Sequence, residues 1–148
     1  MIHQKNLRLG DLVQITVDLP EYKQGDTFVV IDISEDYIGL RSPDKSDGRP
    51  DMYTIGDHIE GVPLTPEILE KNGWKEKAIN YYYNINDELF FRALPNRETG
   101  GVELEVYNNI APESYDVCQD DFYLGNTSFV HQLQHILWAL GLDANLKI

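Results

Sequence analysis

At 148 residues, 42% hydrophobic and 11% aromatic, the chain has the apolar content for one packed domain or two very small ones, which argues against global disorder. Its 25 acidic residues against 12 basic ones give a formal charge of −13, so direct binding to DNA, RNA or an anionic membrane is not expected: too few cations are present to displace counterions from phosphates. Such acidity keeps a protein soluble and, where it gathers on one face, attracts a basic partner or imitates nucleic acid.

The opening "MIHQKNLRLG" holds no apolar stretch as long as a secretory signal, and the longest apolar runs, "FVVI" and "ILWALGL", fall far short of a membrane span. The expected compartment is the cytoplasm. A single cysteine, Cys118, cannot form an internal disulfide, and Asp116, Asp120 and Asp121 near it disfavour a thiolate.

The first elements read as β. In "DLVQITVDL", Val13, Ile15, Val17 and Leu19 alternate with Gln14, Thr16 and Asp18, the period of a half-buried strand. "LPEYKQGD" is a loop; "TFVVIDIS" follows as a second strand with Val29, Ile31 and Ile33 on one face, and "DYIGLR" as a third. "SPDKSDGRPD", residues 42–51, is dense in turn formers and reads as an exposed loop, after which "MYTI" and "HIEGV" add short strands. Short, closely spaced strands predict a small barrel or curled sheet, and "LRLGDLVQI" resembles the first strand of many Src-homology-3-like barrels.

"PLTPEILEKNGW" changes the period: Thr65 caps a short helix, Pro66 and Glu67 suit its first turn, and Asn72-Gly73 closes it. "INYYYNI", "NDELFFRAL" and "VELEVYN" then predict an antiparallel meander, with Val102, Leu104 and Val106 inward. "APESYDVCQDD" is an acidic connector, "DFYLG" a further strand, and Asn126, Thr127 or Ser128 the expected cap of a final helix ended by Gly141.

In that helix Val130, Leu133, Leu137 and Leu140, widened by Ile136, form one apolar stripe, while His131, His135 and Trp138 fall together on the opposite face. The trio is therefore expected on a second surface, outside the core. Two histidines one turn apart can chelate zinc, but a metalloprotease places Glu directly after the first, and here Gln132 stands there and cannot take a proton. His3, His58, Asp120 and Asp121 are the candidates for a third ligand, none at a diagnostic spacing. "TGG" at 99–101 is turn usage rather than a phosphate loop, and no serine sits in a nucleophile elbow.

"VPLTPEILEKNGW", "YYYNINDELFF" and "FVHQLQHILWALGL" together resemble a family of small uncharacterised bacterial proteins, frequent in gut bacteria and often carried by mobile elements and prophages. Members typically open with an "NLRLGDLV"-like strand and carry "PLTPEILEKNGF" and a "YVHQLQH" helix, so the likeness covers most of the chain outside residues 42–51 and the stretch around 95–118. It implies no activity; a mobile-element setting implies contacts with host or phage proteins.

The expected fold is α+β: residues 1–61 as a small all-β, barrel-like segment, then 62–148 as helix, antiparallel meander and C-terminal helix. No cofactor is expected. The expected function is a non-enzymatic protein-interaction module whose contact surface carries His131, His135 and Trp138, since an exposed tryptophan is a typical anchor. The alternatives are a zinc-dependent enzyme using His131 and His135, and an acidic inhibitor that mimics nucleic acid.

Overall fold

The computed structural model describes residues 2, 4–44, 46–98, 100–108 and 122–148. The fold is α+β, with two antiparallel five-stranded sheets and one helix longer than two turns among the described residues. Contacts divide the chain into two units, residues 1–62 with Phe129–His135, and Pro63–Ser128 with Ile136–Ile148. The first half of the last helix thus returns to the N-terminal unit, which the expected division at 61 and 62 did not include. Among the described residues no helix is long and apolar enough to cross a membrane.

The first unit contains β1 (Leu12–Ile15), β2 (Thr27–Ile33), β3 (Ile38–Arg41), β4 (Met52–Thr54) and β5 (Ile59–Gly61) in the order β4-β3-β2-β1-β5. A single 3₁₀ turn, Gly56–His58, links the last two. Among the described residues no pairing joins β4 to β5, and no closed barrel is found. Val13, Ile15, Val30, Ile38, Leu40 and Ile59 are fully buried, and Phe28 nearly so. The inward residues of β2 are Phe28 and Val30, and Val29, Ile31 and Ile33, expected on one face, are each half-buried. In "FVVI" both faces are apolar, so alternation does not choose between them; pairing of Val29 with Leu12 and a bulge between Val30 and Asp32 decide, and bring Ile33 back against the core. The loop before β4 is tied down by Arg49, which ion-pairs with Asp47 and Asp26 and lies over the ring of buried Tyr22.

In the second unit α1 (Pro66–Lys71) starts at Thr65, whose hydroxyl accepts from the Ile68 N–H at 3.4 Å, and ends with Trp74 N–H on Leu69 O at 3.1 Å and Gly73 N–H on Glu70 O at 3.0 Å. A hydrogen bond with Thr65 holds the Glu67 carboxyl below its ordinary range. The sheet runs β10-β9-β8-β7-β6, formed by β6 (Lys75–Lys77), β7 (Asn80–Asn84), β8 (Leu89–Pro95), β9 (Val102–Asn108) and β10 (Phe122–Thr127). Strand β6, "KEK", is fully exposed and carries no alternation, which is why the sequence reading lacks it. Buried Trp74 stacks on Phe91, centroids 5.7 Å apart, and lies against Tyr83 at 5.5 Å. On the same sheet Arg92 of β8 ion-pairs with Glu105 of β9 at 2.6 Å.

Candidate functional site

Helix α2 (Val130–Ala139) begins later than any of the three expected caps. Thr127 belongs to β10, and the cap position falls to Phe129, which has no capping oxygen in its side chain. Gln132 supplies one from inside the helix: its Oε1 accepts from the Phe129 N–H at 3.1 Å, half of a capping box. Val130 N–H donates to Val62 O at 2.9 Å, and Phe129 covers Gly61, where a Cβ would meet the ring at 2.6 Å. These contacts set the start of α2 on the first unit.

What they bring together is a polar clasp. Asp11, only 2% exposed, accepts from the Arg8 N–H at 2.8 Å and meets His135 Nε2 with both carboxylate oxygens at 2.9 Å. A carboxylate only accepts, so Nε2 carries the proton, and a neutral His135 presents Nδ1 as an acceptor. Gln134 completes the clasp, taking the Leu12 N–H on Oε1 at 2.9 Å and giving its Nε2 to Gly10 O at 3.1 Å. The "GDL" turn at 10–12 is thus matched by "QH" at 134–135.

His131 is 5% exposed, stacked on Phe129 with centroids 5.8 Å apart and edge-on to His135 at 5.9 Å. Its Nδ1 is buried and has no hydrogen-bond partner among the described residues. Burial pushes the imidazole below the ordinary histidine range; Asp11 acts against that shift and His135 with it.

The expectation that His131 and His135 lie with Trp138 on an outer surface is therefore corrected. In the first-unit part of the helix Val130 and Leu133 are buried apolar residues, His131 and Gln134 buried polar ones, and His135 is half-buried beside them. Trp138 belongs to the second unit and is 66% exposed. Leu140, expected in the apolar stripe, is 51% exposed. Beyond them the helix closes as expected at Gly141 (φ +70°): its N–H donates to Trp138 O at 3.0 Å, and Leu142 N–H to Leu137 O at 2.9 Å.

Of the candidate third ligands, His58 is engaged by Thr54, with Nδ1 3.2 Å from the hydroxyl; His3, Asp120 and Asp121 lie outside the described residues, as does Cys118. Among the described residues, no three of His, Cys, Asp and Glu converge as a metal site would require. Zinc shared by the histidine pair would have to use His135 Nδ1, since Nε2 faces Asp11. Asp11 and Gln134 are the site residues that sequence reasoning missed. The available signal was Asp11 itself, a carboxylate one residue before a strand whose next two positions are apolar.

No known family model, curated protein or solved structure matches the chain.

Proposed function

We propose that the chain is a non-enzymatic protein-interaction module that contacts its partner through Trp138. The observation that carries this reading is the 66% exposure of Trp138, with Leu140 at 51%, on the capped end of α2. The hydrogen bonds through Gly141 and Leu142 fix the backbone there, so the tryptophan is presented at little ordering cost, which suits a binding anchor. A formal charge of −13 suits a partner with a basic contact surface, placed in the cytoplasm. The motif likeness to small bacterial proteins of mobile elements supports a partner of host or phage origin.

The finer reading of the first unit as a Src-homology-3-like barrel belongs to the same proposal. It is supported by a strand order that puts β1 between β2 and β5 and by the 3₁₀ turn between β4 and β5.

The test is native mass spectrometry of the tagless chain recovered from its own cells, beside Trp138→Ala. A protein complex present in the first and lost in the second, with unchanged circular dichroism, supports the reading. A complex that survives the substitution overturns Trp138 as the anchor, and an unfolded variant places the side chain in a structural role instead.

A further inference from the structure

Beside the clasp, the 3₁₀ turn Gln4–Asn6 and the residues up to Arg8 face the start of α2 across a recess of about 480 Å³, all within the first unit. That volume lies in the range of small-molecule sites, about 300–1,000 Å³. Three features give the recess a chemical character. Ile2, Leu7 and Phe129 supply apolar wall. Lys5 and Arg8 line it in a chain with only 12 basic residues against 25 acidic ones, and no carboxylate stands among the described residues that line it. The nearby acid, Asp11, is already engaged by the Arg8 N–H and His135. The third feature is His131, which lines the recess while its buried Nδ1 has no hydrogen-bond partner among the described residues. An imidazole held by stacking on Phe129, with an unanswered nitrogen, suits an incoming hydrogen-bonding group, and the first turn of α2 adds the positive end of a helix dipole.

We propose that this recess binds a small organic anion, a carboxylate or phosphate group on an apolar body. His131 donates a hydrogen bond to the anionic group, Lys5 and Arg8 supply counter-charge, and Ile2, Leu7 and Phe129 hold the body. Asp11 acts as a positioning residue, holding His135 beside His131. The site needs no protein partner, so it stands apart from the role assigned to Trp138.

The experiment is an NMR titration of the full chain with benzoate, phenyl phosphate and, as the cationic control, benzylammonium, read at the His131 ring and the amides of Lys5–Arg8. The expected result is a saturable shift with at least one anion at a Kd of about 1 mM or tighter, and none with benzylammonium. Which anion binds more tightly distinguishes carboxylate from phosphate chemistry. Lys5→Gln, at an exposed side chain, weakens that affinity about threefold, and His131→Phe, which keeps the stack on Phe129, about tenfold. If His131→Phe loses its fold, Lys5→Gln decides alone. Equal shifts with benzylammonium, no saturable shift with either anion, or unchanged affinity in Lys5→Gln overturns the proposal.

Discussion

The contact between Asp11 and His135 is the interaction whose removal should matter most in the first unit. In Asp11→Ala the Arg8 N–H loses the acceptor it meets at 2.8 Å and His135 Nε2 loses both oxygens at 2.9 Å. An unsatisfied buried donor costs about 1–3 kcal/mol, and Asp11→Ala leaves two donors without their acceptor. The side chain of His135 is 24% exposed against 3% for Asp11, so water reaches the histidine in part and the lower end applies. The expected destabilisation is about 3 kcal/mol for Asp11→Ala and about 2 kcal/mol for His135→Ala, large against the roughly 5–15 kcal/mol of a typical domain. The coupling is measured by urea titration of both single variants and the double variant, followed by NMR signals of Val13 and Ile15, core residues of the same unit. A coupling of about 1.5 kcal/mol or more is expected; a value below about 0.5 kcal/mol would refute the clasp, because independent sites add within that margin.

Three further outcomes are expected. Gly61→Ala puts a Cβ 2.6 Å from Phe129 Cγ and 2.7 Å from Cδ1, so the ring must move; unfolding should show a loss of about 1–3 kcal/mol, with shifted His131 and Phe129 resonances. The loop between β6 and β7 holds Ala78 at φ +51° and Ile79 at φ +66°, a two-residue turn that favours Asn-Gly, so Ala78→Asn with Ile79→Gly should stabilise by about 1–2 kcal/mol in thermal unfolding; an unchanged or lower Tm would count against the left-handed turn. For His131, burial first of all lowers the folded-state pKa, so the unfolded chain binds more protons as pH falls. Its share of stability is therefore intact above the unfolded value near about pH 6.5, shrinks below it, and levels off beneath the lowered folded pKa. Urea midpoints across that window should fall more steeply in the wild type than in His131→Phe; equal slopes would locate the dependence elsewhere.

Much of the fold was legible because its determinants are local. Thr65, Pro66 and Asn72-Gly73 bracket α1 by cap chemistry that needs nothing from the rest of the chain, and Gly141 ends α2 for the same reason. The meander could be read from alternation, with Val102 and Leu104 buried as expected. What escaped depended on neighbours. Strand β6 exists because Lys75–Lys77 pair with Asn80–Tyr82, and three exposed charged residues show nothing of that by themselves. The start of α2 escaped because its cap bond comes from Gln132, within the helix, while the oxygen-bearing residues before it serve β10 and the connection.

The histidines show the deeper limit. Helical periodicity tells which residues share a face; it does not tell what that face meets. A polar face is read as solvated because burying it unpaired is costly, yet that inference fails wherever the chain carries the complementary groups elsewhere. Here they lie more than a hundred residues away: Gly10 offers a carbonyl, Asp11 a carboxylate and Leu12 an amide, and Gln134 and His135 answer all three. "LRLGDLV" and "VHQLQH" are thus two halves of one hydrogen-bonded unit. The constraint runs both ways. A chain that kept His135 without Asp11 would hold a half-buried Nε2–H with no acceptor, and one that lost Gln134 would leave the Leu12 N–H and the Gly10 carbonyl unmatched. His131 is the one member of that face the clasp does not answer, and the recess it lines is where an answer from outside the chain would have to enter.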